Sequence, residues 1–385
     1  MEFFILLILA VITALYAGVI FWARLGIEKG GEPADAEYQP FVSVIVAARN
    51  EEQKLPGLME ALMAQTYPMD RLEVIVVDDG STDKTGEVLN DYKKQWPQLQ
   101  SLRVDVTPRG WSPKKWALSQ GVEQANGEII LTTDADCVPG PGWVWELSRP
   151  FRASDVAMAF GSAPLINPAA GWWWKALRLD SNGYDAIIAG WTQQGVALGC
   201  LGRNLAFSRE AFMKVEGYSG IEHFISGDDD LLMHKMAAAP GYRIVFVTST
   251  RAGVSSPPPQ SFREFILQRL RFASKGLAYF DLPTTWAFRF ILTLIYLANV
   301  GILVGAAAYL LSGNILFLVP FFTKFVADGE LIRRFNKLTG EPFPLHIYLL
   351  TSLIHPFYIV VIGAMGNIVP VQWKGRTFDG NRAER

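Results

Sequence analysis

Two short apolar runs in the middle of this chain, Leu72-Glu73-Val74-Ile75-Val76-Val77 and Glu128-Ile129-Ile130-Leu131-Thr132-Thr133, each stop on carboxylates: Asp78-Asp79 after the first, Asp134-Ala135-Asp136 after the second. Runs this apolar are expected of strands in a parallel sheet covered by helices on both faces, whose C-terminal ends open onto a ligand crevice. Repeated carboxylates at such ends are hard to explain as solvated surface. A third cluster, Asp228-Asp229-Asp230, and the basic string Gln268-Arg269-Leu270-Arg271-Phe272 complete the set of charged motifs.

The stretch around these runs alternates in period. Phe41 to Ala48 reads as a strand and Glu51 to Gln65 as a helix ending near Tyr67-Pro68. Leu72 to Val77 reads as the next strand, and Asp83 to Gln95 as a helix opened by a Ser81-Thr82 cap. Gly121 to Ala125 leads into the strand at Ile129 to Leu131. Such alternation predicts an α/β fold with a mostly parallel sheet. Ser255-Ser256-Pro257-Pro258-Pro259 reads as a loop joining this part to the C-terminal third of the chain.

The ends of the chain obey a different pattern. Hydrophobic residues are 50% of the 385 and charged residues only 19%, an imbalance concentrated outside the alternating part. Phe3 to Trp22 is uncharged over about the 20 residues needed to cross a bilayer. It lacks a basic leader and a small-x-small cleavage site, so an uncleaved anchor is expected rather than a signal peptide. Phe290 to Leu311 is a second uncharged run, and Pro342 to Trp373 a third with a kink expected at Pro356. Ile315 to Val326 is shorter and interrupted by Lys324, which leaves spanning, re-entrant and interfacial placements open. Arg24 and Lys29 after the first run, with Arg263, Arg269, Arg271 and Lys275 before the second, put the central part on the cytoplasmic side of an inner membrane. A net charge of -2 gives no argument for nucleic acid. Cys137 and Cys200 have no Cys-x-x-Cys spacing and read as small buried residues.

Taken in order, Val44-Ile45-Val46-Ala47-Ala48-Arg49-Asn50-Glu51, Val77-Asp78-Asp79-Gly80-Ser81-Thr82-Asp83, Asp134-Ala135-Asp136, Gly227-Asp228-Asp229-Asp230 and Gln268-Arg269-Leu270-Arg271-Phe272 resemble the motifs of a membrane-bound family-2 glycosyltransferase with a GT-A fold. Five motifs in the family's order are far more specific than any one of them. Trp111 to Gly121 and the closing Trp373-Lys374-Gly375-Arg376 are similar to stretches in hopene-associated and carotenoid glycosyltransferases, and ceramide glycosyltransferases belong to the same comparison. The resemblance implies a Rossmann-like GT-A domain over residues 39–254, a transmembrane anchor over 1–24, an interfacial segment over 255–284, a transmembrane region over 285–370 and a cytoplasmic tail over 371–385.

The residues suggest roles that the resemblance sharpens. A nucleotide sugar presents a base, a ribose, two phosphates and an electrophilic anomeric carbon. Asp79 at a strand end suits a hydrogen bond from a base imide, uracil by the resemblance, with Arg49 and Glu51 facing ribose and phosphates and Ala47 beneath the base. Asp134 and Asp136, two apart on a strand, point to one face and need a hard divalent cation, Mg2+ or Mn2+. By the family, Asp136 is the more direct metal ligand and Asp134 contacts the sugar or ribose. Lys114 adds positive charge at the nucleotide, and Lys115 beside it reads as solvated. Alignment with the family makes Asp229 the general base, with Asp228 and Asp230 as alternatives. Arg271, supported by Gln268, would meet the leaving diphosphate, while an anchor to lipid headgroups is the other account of that basic string. Gly199 to Phe207 matches an acceptor-side Gly-x-Asn loop or, equally, a plain turn. Trp172-Trp173-Trp174 and Trp191 read as interfacial or acceptor-lining.

The expectation is therefore an inverting, metal-dependent hexosyltransferase that moves one sugar from a nucleotide-sugar, with UDP as the expected nucleotide, to a lipid or polyisoprenoid acceptor at the bilayer. The alternatives are a processive polysaccharide synthase, disfavoured by Phe272 where synthases carry tryptophan, and a non-catalytic nucleotide-binding membrane scaffold.

Overall fold

The computed structural model describes residues 2–29, 38–166, 171–366, 368–369, 371–373 and 376–378. The similarity at Lys374-Gly375, and most of the expected tail, lie outside the described residues. The chain divides into two compact units. A sheet unit holds 30–166 and 199–258 with the last residues from 372, and a helical unit holds 1–29, 167–198 and 259–371.

The sheet unit is built on seven strands: β1 (Val42–Ala48), β2 (Leu72–Asp78), β3 (Leu99–Arg103), β4 (Ile129–Thr132), then β6 (Val156–Gly161), β7 (Leu205–Ser208) and β8 (Arg243–Val247). A two-residue β5 (Val138–Pro139) pairs apart from these with β9 (Val254–Ser255). The spatial order is β3-β2-β1-β4-β7-β6-β8. Only β7 runs antiparallel to its neighbours, so the expected α/β architecture, mostly parallel, is what the chain adopts. Helices on both faces explain why β2 is buried along its whole length. Val44, Val46, Val74 and Val76 pack with Leu58, Leu62 and Trp143 in one core.

Two expected helices start late. Asn50 takes a left-handed φ of 53°, and the Asn50 and Glu51 amides donate to Ser81 Oγ (3.0 Å) and Thr85 Oγ1 (2.9 Å). These cross-loop bonds hold the residues after β1 out of the helix, which runs only Leu55–Met63. Likewise Asp83 Oδ1 accepts from the Thr85 amide at 3.0 Å, so that helix begins at Thr85 and neither Ser81 nor Thr82 caps it.

The helical unit contains Glu2–Ile27, Trp286–Ser312 and Leu345–Met365, each long and apolar enough to cross a membrane. Pro356 lies inside the third of these. Thr285 Oγ1 caps the second by accepting from the Phe288 amide, and Gly313 ends it at a φ of 70°. The run containing Lys324 forms a short turn and then Val319–Thr339. Trp172–Thr192 inserts between two parts of the sheet unit in sequence and packs on Glu2–Ile27. A Cβ built on Gly26 would lie 1.9 Å from Gly190 O, so only paired glycines allow the two backbones to touch. Trp173 of this helix rests edge-on against Phe265 at 5.5 Å.

Candidate active site

β1 and β2 end side by side, with Ala48 opposite Asp78 and the Asp79 amide donating to Ala48 O at 2.8 Å. Asp78 holds the turn beyond β2. Its Oδ1 accepts from the Ser81 amide at 2.8 Å and its Oδ2 lies 2.9 Å from Arg103 Nη1. Asp79 is turned instead toward Arg49, whose Nη1 donates to Asp79 O at 2.7 Å and lies 3.5 Å from Asp79 Oδ2. Two of the residues expected at the nucleotide, Arg49 and Asp79, therefore meet just beyond the C-terminal ends of these neighbouring strands. Half-buried Ala47 and buried Glu51 flank them on the same chain segment.

The second cluster departs from expectation in its local geometry. Asp134 and Asp136 sit in the turn after β4, not on a strand, and the Cys137 amide closes that turn onto Asp134 O at 3.1 Å. Their side chains converge all the same: Asp134, Asp136 and Cys137 offer ligand atoms within 4.8 Å of one another. Burial, then the charges of Asp134 and Asp136, push the Cys137 thiol up. The two carboxylates supply oxygen donors of the kind that fits a hard divalent cation.

Lys114 joins the second cluster to the third. Its Nζ lies 2.8 Å from Asp134 Oδ1 and 2.8 Å from Asp228 Oδ2. Burial works against the charge on Lys114, but the two carboxylates outweigh it and hold the ammonium well above the usual lysine range. Lys115 is not solvated. It is fully buried, and its Nζ donates to Phe224 O (2.6 Å) and Ser226 O (3.0 Å), pinning the loop that leads into Asp228. Both lysines lie in the first turn of Pro113–Gln124, where the helix dipole disfavours cations. That conflict is the one sequence signal that they answer to fixed partners.

Asp229 caps the helix Asp230–Ala238, its Oδ1 accepting from the Asp230 amide at 2.8 Å. Its Oδ2 accepts from the Gly202 amide at 2.9 Å, so the Gly-x-Asn segment does reach the acidic cluster. Asn204 of the same segment is structural: buried, it donates to Ser162 O and Ala252 O and accepts from Trp143 Nε1.

The basic string falls within Phe262–Ala273 of the helical unit. Arg269 pairs with Asp180 there, with its guanidinium 5.2 Å from the Phe265 ring centre. Arg271 lies over Phe272 at 5.1 Å, and Gln268 is half-buried.

Comparison with known proteins gives a consistent set of likenesses. Residues 43–216 match the model of glycosyl transferase family 2. The glycosyltransferase AglE of Haloferax volcanii is 26% identical over 60% of this chain and 71% of its own length. The beta-monoglucosyldiacylglycerol synthase of Synechocystis is 33% identical over 52% of this chain, which spans only 41% of that relative. Among solved structures, the mannosyltransferase PcManGT from Pyrobaculum calidifontis, in complex with GDP-Man and Mn2+, superposes with a TM-score of 0.59 at 21% identity, covering 94% of this chain and 96% of its own.

Proposed function

Since residues 43–216 are a family-2 glycosyltransferase domain on a GT-A scaffold, we propose that this chain is an inverting, metal-dependent glycosyltransferase moving one sugar from a nucleotide-sugar donor, with UDP as the favoured nucleotide, onto a lipid or polyisoprenoid acceptor at the cytoplasmic face of a membrane. The observation that carries the reading is the Lys114 bridge between Asp134 and Asp228. It draws a metal-competent carboxylate pair and the cluster containing Asp229 into one polar site. The glycolipid-synthase relative supports a lipid acceptor, as do the three helices of membrane-spanning length.

In this reading Asp79 accepts from the nucleobase while Arg49, held against it, meets ribose or phosphate. Asp136, with Asp134 beside it, would hold the divalent cation, whose Lewis acidity would offset the charge of the departing diphosphate. PcManGT, with its Mn2+ and GDP-Man, supports the use of a divalent metal and makes guanosine donors the competitor to test. Asp229, fixed by two backbone amides, takes the proton from the acceptor hydroxyl as its oxygen attacks the anomeric carbon. Attack on the face opposite the leaving group in a single displacement inverts that carbon. Arg271 stabilises the diphosphate as it leaves.

The test is nucleotide release by the purified chain from a panel of UDP- and GDP-sugars, with Mn2+, Mg2+ or chelator, in the presence of membrane lipid extract. Release from a UDP-sugar that needs both metal and lipid supports the proposal. Release from none of the donors, with UDP still bound, would leave a nucleotide-binding scaffold.

A further inference from the structure

The helical unit holds a partly open cavity of ≈ 340 Å³, within the ~300–1,000 Å³ of small-molecule sites. Residues such as Leu179, Ile187, Ile291 and Phe325 give it a largely apolar wall, suited to a hydrocarbon chain. Set into that wall are two ion pairs. Arg269 meets Asp180, and Lys324 meets Asp328, with Tyr16 OH donating to Asp328 Oδ1 at 2.6 Å and accepting from Lys324 Nζ at 3.0 Å. Ionised groups among helices of spanning length are costly and mark function more often than structure.

The arithmetic of these charges decides what the cavity accepts. Apart from the imidazole of His355, the acids and bases of the lining are Asp180 and Asp328 with Arg269 and Lys324, and each of these two bases already has its acid. A lipid phosphate entering here would bring charge with no uncompensated cation to receive it. A neutral head would need only hydrogen bonds, and two buried lining atoms have no hydrogen-bond partner among the described residues: His355 Nδ1, which can accept from a hydroxyl, and Arg269 Nε, which can donate to one.

We propose that this cavity binds a neutral, hydroxyl-bearing lipid, an isoprenoid or acyl alcohol rather than a lipid phosphate, with the chain along the apolar wall and a hydroxyl donating to His355. The binding claim stands on the cavity; that the bound lipid is the acceptor rests on the transferase reading. Gly183 lines the cavity, and a Cβ there would already lie 3.3 Å from Ile332 Cδ1, so a large side chain at 183 fills the space.

The experiment uses the full chain in lipid nanodiscs and two probes, radiolabelled geranylgeraniol and geranylgeranyl phosphate. The alcohol binds saturably and the phosphate at least about tenfold more weakly. Gly183→Phe, or Thr351→Phe should the first variant fail to fold, removes alcohol binding but not UDP binding by the sheet unit. Asp328→Asn, which strips Lys324 of its acid, narrows or reverses the preference against phosphate. Equal or tighter phosphate binding by the parent chain, or alcohol binding untouched by both filling variants, overturns the proposal. Nucleotide release measured alongside separates the two failures: release without alcohol binding sinks this inference alone, and alcohol binding without turnover of any donor sinks the transferase reading alone.

Discussion

Asp229 and Gly202 meet at 2.9 Å, carboxylate oxygen to backbone amide, and a larger residue in place of the glycine would have to displace that carboxylate. A Cβ on residue 202 would lie 2.8 Å from Asp229 Oδ2 and 3.0 Å from Asp229 Cβ. The loop after the helix Trp172–Thr192 therefore aims the carboxylate that caps Asp230–Ala238.

If Asp229 is the base, Asp229→Asn lowers transfer by about 100-fold to 10,000-fold and leaves UDP affinity, measured by calorimetry with metal, close to the parent value. Gly202→Ala displaces the same carboxylate without removing it and costs roughly 100-fold. Loss of UDP binding in step with turnover would instead put Asp229 in the nucleotide site and pass the base role to Asp228 or Asp230.

Asp136→Asn takes one oxygen ligand from the carboxylate pair. Turnover is expected to fall about 100-fold to 1,000-fold, the weight of one group stabilising a developing charge, with an unchanged Tm. A manganese titration of activity checks it, since an Asp136→Asn enzyme with the parent's rate and the parent's metal requirement contradicts the assignment.

The sequence and the structure agree most closely where chemistry and backbone pattern coincide. β1, β2 and β4 were legible as apolar runs ending in acids, and the three helices of membrane-spanning length as uncharged stretches. β6, equally apolar and fully buried, carries no acid at its end and stood out less. β7 could not be read as the antiparallel strand, because a four-residue run has no periodicity that fixes its direction. The late helix start at Leu55 arises from bonds between Asn50 and Ser81 and between Glu51 and Thr85, pairs some 30 residues apart that no local propensity encodes. The same holds for Lys114: the family resemblance suggests a cation near a nucleotide, but only the fold shows it shared between Asp134 and Asp228.

Sharing Lys114 between two carboxylates also bears on stability. Lys114→Gln leaves the pair facing each other across the missing ammonium, and a loss of about 1–2 kcal/mol is expected, between the surface and buried limits for broken ion pairs. Because the folded-state value of Lys114 is raised above its usual 10.5, the bridge contributes fully from above the carboxylate range up to that ordinary value and fades at the alkaline end only as pH climbs through the raised one. The Tm difference between parent and variant should thus be flat from pH 7 to 9. A difference that vanished across that interval would show that the bridge is not what stabilises the site.

Arg269 and Arg271 stand two residues apart on one helix yet should fail differently. Arg269 is committed to Asp180 and to the faces of Phe265 and Phe272, so Arg269→Ala leaves Asp180 uncompensated and lowers the Tm of the protein in detergent. Arg271, given the diphosphate as its target, should leave the Tm in place on replacement by Ala while turnover falls by about 100-fold, as for loss of one charge-stabilising donor. If the basic string served only to hold lipid headgroups, both substitutions would instead weaken binding to anionic liposomes by roughly 1 kcal/mol each, and added anionic lipid would restore both. Turnover, melting and liposome binding measured on the two variants together separate these cases: equal small losses, both rescued by lipid, would remove Arg271 from the chemistry.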